Sequence, residues 1–536
     1  MTREWRAGVS CLIIGIAGVI VAHAIWLSHD DRPARWDEVR FSAATRSLLG
    51  QDGRTRIAGV SSSPYPPAYP ALGALAAKVT GKPDAPVTRW VNVPLAVISA
   101  LLTFLIARPL LPVTGAAWCA LLAASLPAGF AGAHLYLSEN LLVPLVLAVW
   151  VIAWPSGSPA PLSRGRGLLL GVILGLGCLT KWTFPLYVGL PVLVFARRSP
   201  RVGLVALATG VVICGWWYVE HHRDVVDHLE RGILAGDWAW VSARPWWWYA
   251  RSIVYAGLGI PLAAVVVTGT IWLPRSGWGL LCGALLPIGV LSFVHTKQMR
   301  HLLPVMPLLP VVAGLALWRC RWVAWRRVAA FVVFAHVGVA AGLASFAEGP
   351  QMRWNIGIAR IPCFALPEPP GAPDATSWPL DEVLTAATAE VNGTPRVYVA
   401  CAATPLTAEG LDHVAGRSGW SVELYEAPLW FPPGHARRRP FPVSPLLDAH
   451  RIVTKSGRSH DRLSAYVPDL QQWGVRLNAA LLDPASPFGG VVKRVATIAW
   501  PDGTDAIVLD PGPPERLRRA IVAWFLEVER LDAQPR

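Results

Sequence analysis

The chain has 536 residues, of which 53% are hydrophobic and 15% charged, and a formal net charge of +14. The charges fall in clusters between long apolar runs, a pattern that excludes a large soluble enzyme and indicates a polytopic membrane protein. The basicity does not indicate a nucleic-acid partner. Arg108, Arg164, Arg166, Arg197, Arg198, Arg201, Arg275, Arg319, Arg321, Arg326 and Arg327 lie in short connections that can share one side, as the positive-inside rule expects of cytoplasmic loops.

In chain order, uncharged runs cover 7–29, 90–107, 109–138, 140–163, 202–219, 252–274, 276–296, 302–318 and 328–347. Most approach the ~20 residues that a helix needs to cross the hydrocarbon core. The run 109–138 holds one span and its exit loop, ending near Pro127. Arg3 and Arg6 precede the first run without a convincing cleavage site, so it is read as an uncleaved span. Segment 167–196 is divided by Lys181; two short spans keep Arg197, Arg198 and Arg201 with the other arginines, whereas one would move them across. The count is then about eleven spans, with a cytoplasmic N-terminus and Lys181 at an outer hairpin tip.

Everything of chemical interest then faces outward. In the first outer loop, 29–88, the stretch Trp36 to Leu49 reads as an interfacial helix. Ser61 to Pro70 is too rich in proline for a helix and reads as an extended connection. Loop 219–250 carries His221, His222, His228, Asp224 and Asp227, which read as solvated surface rather than a metal site. Its Trp238, Trp240 and Trp246–Trp248 suit an interfacial belt.

Beyond 347 no run could span. Residues 348–380 read as a linker, Pro-rich over 362–379, and 381–536 as a soluble mixed α/β domain on the outer side. Strands are expected at 396–401, 421–425, 491–500 and 505–509, the last two joined by a turn at 501–504, and helices at 468–482 and 514–531. Of the cysteines, those in or beside the spans read as inert small hydrophobes, and a disulfide between Cys363 and Cys401 stays open.

The candidate site residues have plain alternatives. Asp37 and Glu38 sit just past the first span, where a carboxylate can act as general base or simply favour the start of an interfacial helix. Glu139 opens the fourth span and lines a site or caps a helix. Lys181 lies within membrane depth, where an ionisable group faces a cavity or partner unless it snorkels. Lys297, Arg300 and His301 form a cation cluster on the side that positive-inside disfavours, which an anion such as a lipid phosphate would explain, as would headgroup anchoring.

Four features occur in a shared order: the acidic pair after the first span, Tyr65-Pro-Pro-Ala-Tyr-Pro70, Leu179-Thr-Lys181, and Lys297-Gln-Met-Arg-His-Leu-Leu-Pro-Val-Met-Pro307 before a late span. In that order, residues 1–347 resemble the membrane-embedded glycosyltransferases of the GT-C superfamily. The likeness is to the branch of bacterial dolichyl-phosphate-mannose–protein mannosyltransferases and aminoarabinose transferases. The resemblance implies inverting transfer of a sugar from a polyprenyl-phosphate donor to an acceptor at the outer face of the cytoplasmic membrane. It implies Asp37 as catalytic acid or base with Glu38 beside it, and Glu139, Lys181, Lys297, Arg300 and His301 as the substrate-binding set. No metal or other cofactor is required, although a divalent cation is compatible. The partners implied are the donor, membrane lipids and an acceptor that no motif names. The competing reading is a transporter or flippase of a lipid-linked or anionic solute, which would use the same cations for recognition.

Overall fold

The computed structural model describes residues 2–32, 37–49, 65–81, 88–154, 163–229, 246–294, 297–347, 351–356, 359–365, 372–374, 376–401, 406–418, 420–426, 443–457 and 468–532. Trp36, Ser61–Pro64, Trp238 and Trp240 and the side chains of Asp227, His228 and Cys363 lie outside them. Two compact units emerge: Met1–Asp30, Ala44–Leu234 and Trp238–Asp374 form a membrane unit, and Asp31–Ala43 joins Ala375–Arg536 in the other.

Every apolar run read from the sequence holds helix. Among the described residues, four helices are long and apolar enough to cross a membrane: Arg3–Ser28, Pro200–Glu220, Arg275–Ser292 and Val323–Phe346. A bent pair, Trp248–Leu258 with Ile260–Trp272, turns by 116° at Gly259, whose φ of +73° suits glycine. Shorter apolar helices cover Asn92–Ala107, Val113–Ala124, Glu139–Ala153 and Leu308–Arg319. Ile13, Ile14, Val21 and Ile25 are exposed along the first helix, a face that water would penalise and lipid would not.

Segment 167–196 does break at Lys181, into helices Arg164–Cys178 and Phe184–Arg198. The first carries Gly167, Gly171 and Gly175 at four-residue spacing, which lets its backbone approach the Pro200–Glu220 helix closely. A methyl group on Gly171 would stand 2.5 Å from the Ala206 carbonyl oxygen, and one on Gly175 2.6 Å from Ile213 Cβ. Run 109–138 likewise breaks between helices Val113–Ala124 and Pro127–Gly132.

Three expectations are corrected. Ala68–Thr80 is helical, so the last residues of the proline-rich stretch are its first turn; Pro70 is tolerated there because first-turn N–H groups have no intrahelical partner. Part of the supposed linker is an antiparallel pair, β1 (Gln351–Ile356) with β2 (Ala359–Ala365). His221 is not solvated: it is buried and stacks on Trp217 at 4.5 Å, four residues back on the same helical face.

The C-terminal unit is built on a five-stranded sheet of order β4-β3-β5-β7-β6. Strands β3 (Arg396–Val399), β4 (Glu423–Glu426) and β5 (Arg451–Lys455) are parallel. Strands β6 (Lys493–Ala499) and β7 (Asp505–Asp510) form the expected hairpin, and β7 runs antiparallel to β5. Side-chain alternation fills two cores. Val397, Val399, Val453 and Val508 pack with helices Leu380–Thr388 and Ala408–Ser418. Tyr398, Ile452, Ile507 and Leu509 pack with Pro468–Leu482 and Pro514–Asp532.

Candidate active site in the membrane unit

Glu139 is the first residue of the Glu139–Ala153 helix, and its carboxylate is buried. No side-chain cap starts this helix, so the capping reading of Glu139 is replaced by an ionic one. The preceding turn is pinned by amides from two helices. Asn92 Nδ2 donates to the carbonyls of Ala133 (3.0 Å) and Leu135 (2.8 Å), and Asn140 Nδ2 donates to Leu135 (2.8 Å) and Gly132 (3.2 Å). Tyr136 stacks on Tyr69 at 4.5 Å, and its hydroxyl lies 3.0 Å from Thr45 Oγ1. These contacts give the acid a fixed platform rather than a mobile loop.

Lys181 reaches that platform from the break between its two helices. Its backbone N–H closes a turn on Gly177 (3.0 Å), and the Phe184 ring lies over Gly177, where a methyl group would approach to 2.3 Å. The helix Ala68–Thr80 braces the same turn through Ala68 N–H to the Leu179 carbonyl, 2.9 Å. So held, Lys181 Nζ donates to Glu139 Oε1 at 2.5 Å.

The third member arrives from the late motif. Met299–Leu302 is a single 3₁₀ turn, and Arg300 Nε lies 3.8 Å from the same Glu139 oxygen while donating to Gln298 Oε1 at 2.5 Å. His301 also bears on Glu139 electrostatically, and Lys297 is buried at the turn's entrance. Two cations share one carboxylate at a point where Lys181 and Arg300 keep about a fifth of their side-chain surface exposed. Such a group binds an anion by charge-assisted hydrogen bonds, with the carboxylate holding the cations in place.

Of the residues expected from sequence, Glu139, Lys181, Arg300 and His301 are therefore brought together. Asp37 and Glu38 belong to the other unit, in the first turn of helix Asp37–Leu49. Asp37 is partly exposed with Arg40 3.9 Å away, and Glu38 is buried. Sequence reasoning missed Tyr187, Tyr249 and Gln298. Tyr249 follows three tryptophans and reads as part of a lipid belt, while its hydroxyl in fact reaches Gln298 and His301. A cavity of about 60 Å³, lined partly by His23, Asn92, Asn140 and Leu303, lies behind the Glu139 turn. Among the described residues no group of three or more metal-ligating side chains is found.

Residues 64–215, which include Glu139 and Lys181, match the family model described as dolichyl-phosphate-mannose-protein mannosyltransferase. No curated protein sequence matches the chain. Among solved structures, ArnT from Cupriavidus metallidurans in the apo state aligns over 94% of this chain and 98% of that one, with TM-score 0.59 and 13% identity. The same protein bound to undecaprenyl phosphate aligns over 62% of this chain and 64% of its own length, with TM-score 0.50 and 18% identity. The Archaeoglobus fulgidus oligosaccharyltransferase in its apo form aligns over 84% of this chain and 69% of that one, with TM-score 0.54 and 12% identity. The chain thus shares its fold with ArnT, and the family-model match is confined to residues 64–215.

Proposed function

We propose that the chain is a membrane-embedded inverting glycosyltransferase that moves a sugar from a polyprenyl-phosphate carrier to an acceptor on the outer face of the cytoplasmic membrane. The observation that carries this reading is the cluster of Lys181 and Arg300 on buried Glu139, in a chain that shares its fold with ArnT. Undecaprenyl phosphate in the ArnT structure supports a polyprenyl carrier. About eleven spans, a cytoplasmic N-terminus and an outer C-terminal domain complete the arrangement.

In this mechanism the acceptor hydroxyl attacks the anomeric carbon as its bond to the phosphate oxygen breaks. The hydroxyl proton passes to Asp37, whose assignment rests on its place after the first span, with Glu38 as its neighbour. The departing phosphate keeps the bonding electron pair, and Lys181, Lys297, Arg300 and His301 stabilise its charge. Removal of charge from the base is the sharpest test. Asp37→Asn, purified and folded, should lose at least about 100-fold in release of polyprenyl phosphate from a polyprenyl-phosphate sugar, the range for removing a general base. Wild-type turnover in that variant sinks the assignment of Asp37, and scrambling of the lipid-linked sugar without transfer would make the chain a flippase instead.

A further inference from the structure

The turn that carries Arg300 cannot set its own position. Met299–Leu302 is one 3₁₀ turn, a conformation with poor hydrogen-bond geometry that rarely persists alone. Its bonds include His301 N–H to the Gln298 carbonyl (3.2 Å) and Leu303 N–H to the Arg300 carbonyl (3.1 Å), and it runs on through turns such as Val305 N–H to the Leu302 carbonyl (3.1 Å) toward the Leu308–Arg319 helix. What fixes it from outside is a pair of buried tyrosines on two other helices. Tyr187, in the Phe184–Arg198 helix, donates its hydroxyl to the His301 carbonyl at 2.7 Å. Tyr249, in the Trp248–Ser252 helix, accepts from the Gln298 N–H at 3.2 Å and faces His301 Nδ1 at 3.4 Å.

We propose that Tyr187 and Tyr249 are positioning residues that clamp the Gln298–His301 turn at both ends and so aim Arg300 at an anionic ligand. The line of force is short. Tyr249 holds the Gln298 backbone, Gln298 Oε1 accepts from Arg300 Nε, and the same nitrogen lies 3.8 Å from Glu139 Oε1. The Tyr249 oxygen accepts from the Gln298 N–H and lies within hydrogen-bond reach of His301 Nδ1, so one hydroxyl touches both ends of the turn. Both rings are buried, Tyr249 fully and Tyr187 to within 2%. Phenylalanine would keep the packing, so what the hydroxyls add is orientation, through the bonds to the His301 carbonyl and from the Gln298 N–H. The ligand this turn fits is a phosphate group, and on the function proposed above it is the phosphate of a lipid carrier.

The experiment uses the full chain in detergent with Tyr187→Phe and Tyr249→Phe, which delete only an oxygen. The first measurement needs no ligand: the rate at which phenylglyoxal modifies Arg300, followed by peptide mass spectrometry. It should rise about fivefold in either variant, a loosening of the size expected when one buried hydrogen bond is lost. A wild-type rate in both variants overturns the clamp. The second measurement is titration with a polyprenyl phosphate. Tyr249→Phe should weaken binding about tenfold, again one buried bond, yet add almost nothing in an Arg300→Ala background. Additive losses would mean that the tyrosine acts elsewhere, and overturn the proposal. Protection of Arg300 by polyprenyl phosphate but not by equal inorganic phosphate is expected; equal protection overturns the lipid source. If the wild type binds no polyprenyl phosphate, the transferase reading fails, while the modification rates still decide the clamp.

Discussion

Two lysines, one in each unit, meet a carboxylate at almost the same distance and serve different ends. In the C-terminal unit Lys455, at the end of β5, donates to Asp502 at 2.7 Å, and Asn478 completes the arrangement. The Asn478 side chain accepts from the Lys455 N–H (3.2 Å) and the Thr454 hydroxyl and donates to the Lys455 carbonyl (2.9 Å). Charge balances there, and every polar group named has a partner. In the membrane unit Lys181 meets Glu139, and Arg300 shares the same carboxylate oxygen. A second balanced pair in the membrane unit, Arg89 with Asp30 at 2.9 Å, is almost wholly buried and also takes the Asp374 N–H at 3.0 Å. A one-to-one pair goes with tying chain segments together; a carboxylate shared by two part-exposed cations goes with binding.

The largest effects should come from breaking the shared cluster. Lys181→Met should lower sugar transfer at least about 100-fold, close to 3 kcal/mol, the scale for removing one preorganised charge from a developing anion. Because Arg300 still faces Glu139, the unfolding midpoint should move far less than the activity. The double variant Glu139→Gln with Lys181→Met sharpens the contrast: it removes the uncompensated acid and should fold normally without recovering transfer. Recovery of transfer in the double variant would make the cluster a structural tie like the pair in the C-terminal unit.

The next effect belongs to that pair. Asp502→Ala leaves the Lys455 ammonium buried without its counter-charge and should cost about 2–3 kcal/mol, while Lys455→Met, which removes the charge and keeps the stem, should cost about 1 or less. Hydrogen-exchange protection of β5 and the Pro468–Leu482 helix in the full chain would report both. Equal losses in the two variants would show that the attraction matters more than the unpaired charge.

Most of the architecture was legible because it is periodic. Apolar runs marked the membrane helices, and the arginine count located the break at Lys181, which the close packing of Phe184 on Gly177 realises. The β6–β7 hairpin was visible from its alternation and the Pro501-Asp-Gly-Thr504 turn, with observed ends within two residues of those expected. β5 was not, since Arg451–Lys455 has only five residues, and neighbouring strands rather than its own pattern make it the sheet's centre. The same holds at the site. Charged residues out of place in apolar sequence announce themselves, so Glu139, Lys181 and Arg300 could be picked. Tyr187 and Tyr249 look like ordinary aromatic residues of a membrane helix, and only their hydroxyl partners distinguish them.

The smallest expected effect is the pH dependence of the C-terminal pair, and its sign follows from opposed causes. Partial burial alone would raise the Asp502 carboxyl, but hydrogen bonds from Lys455 and Thr504 outweigh it and hold the group below its usual value. A carboxyl depressed in the folded state contributes stability above its unfolded pKa, and that contribution fades as pH falls through the lower folded value. Protection of β5 should therefore be flat from pH 7 to 5 as far as Asp502 is concerned, then decline below about 4, the ordinary aspartate range. In Asp502→Asn that decline should shrink, because the titrating partner is gone and an amide oxygen still accepts from Lys455. An Asp502→Asn chain whose β5 protection falls with acid as steeply as the wild type would assign that titration to another carboxylate of the unit.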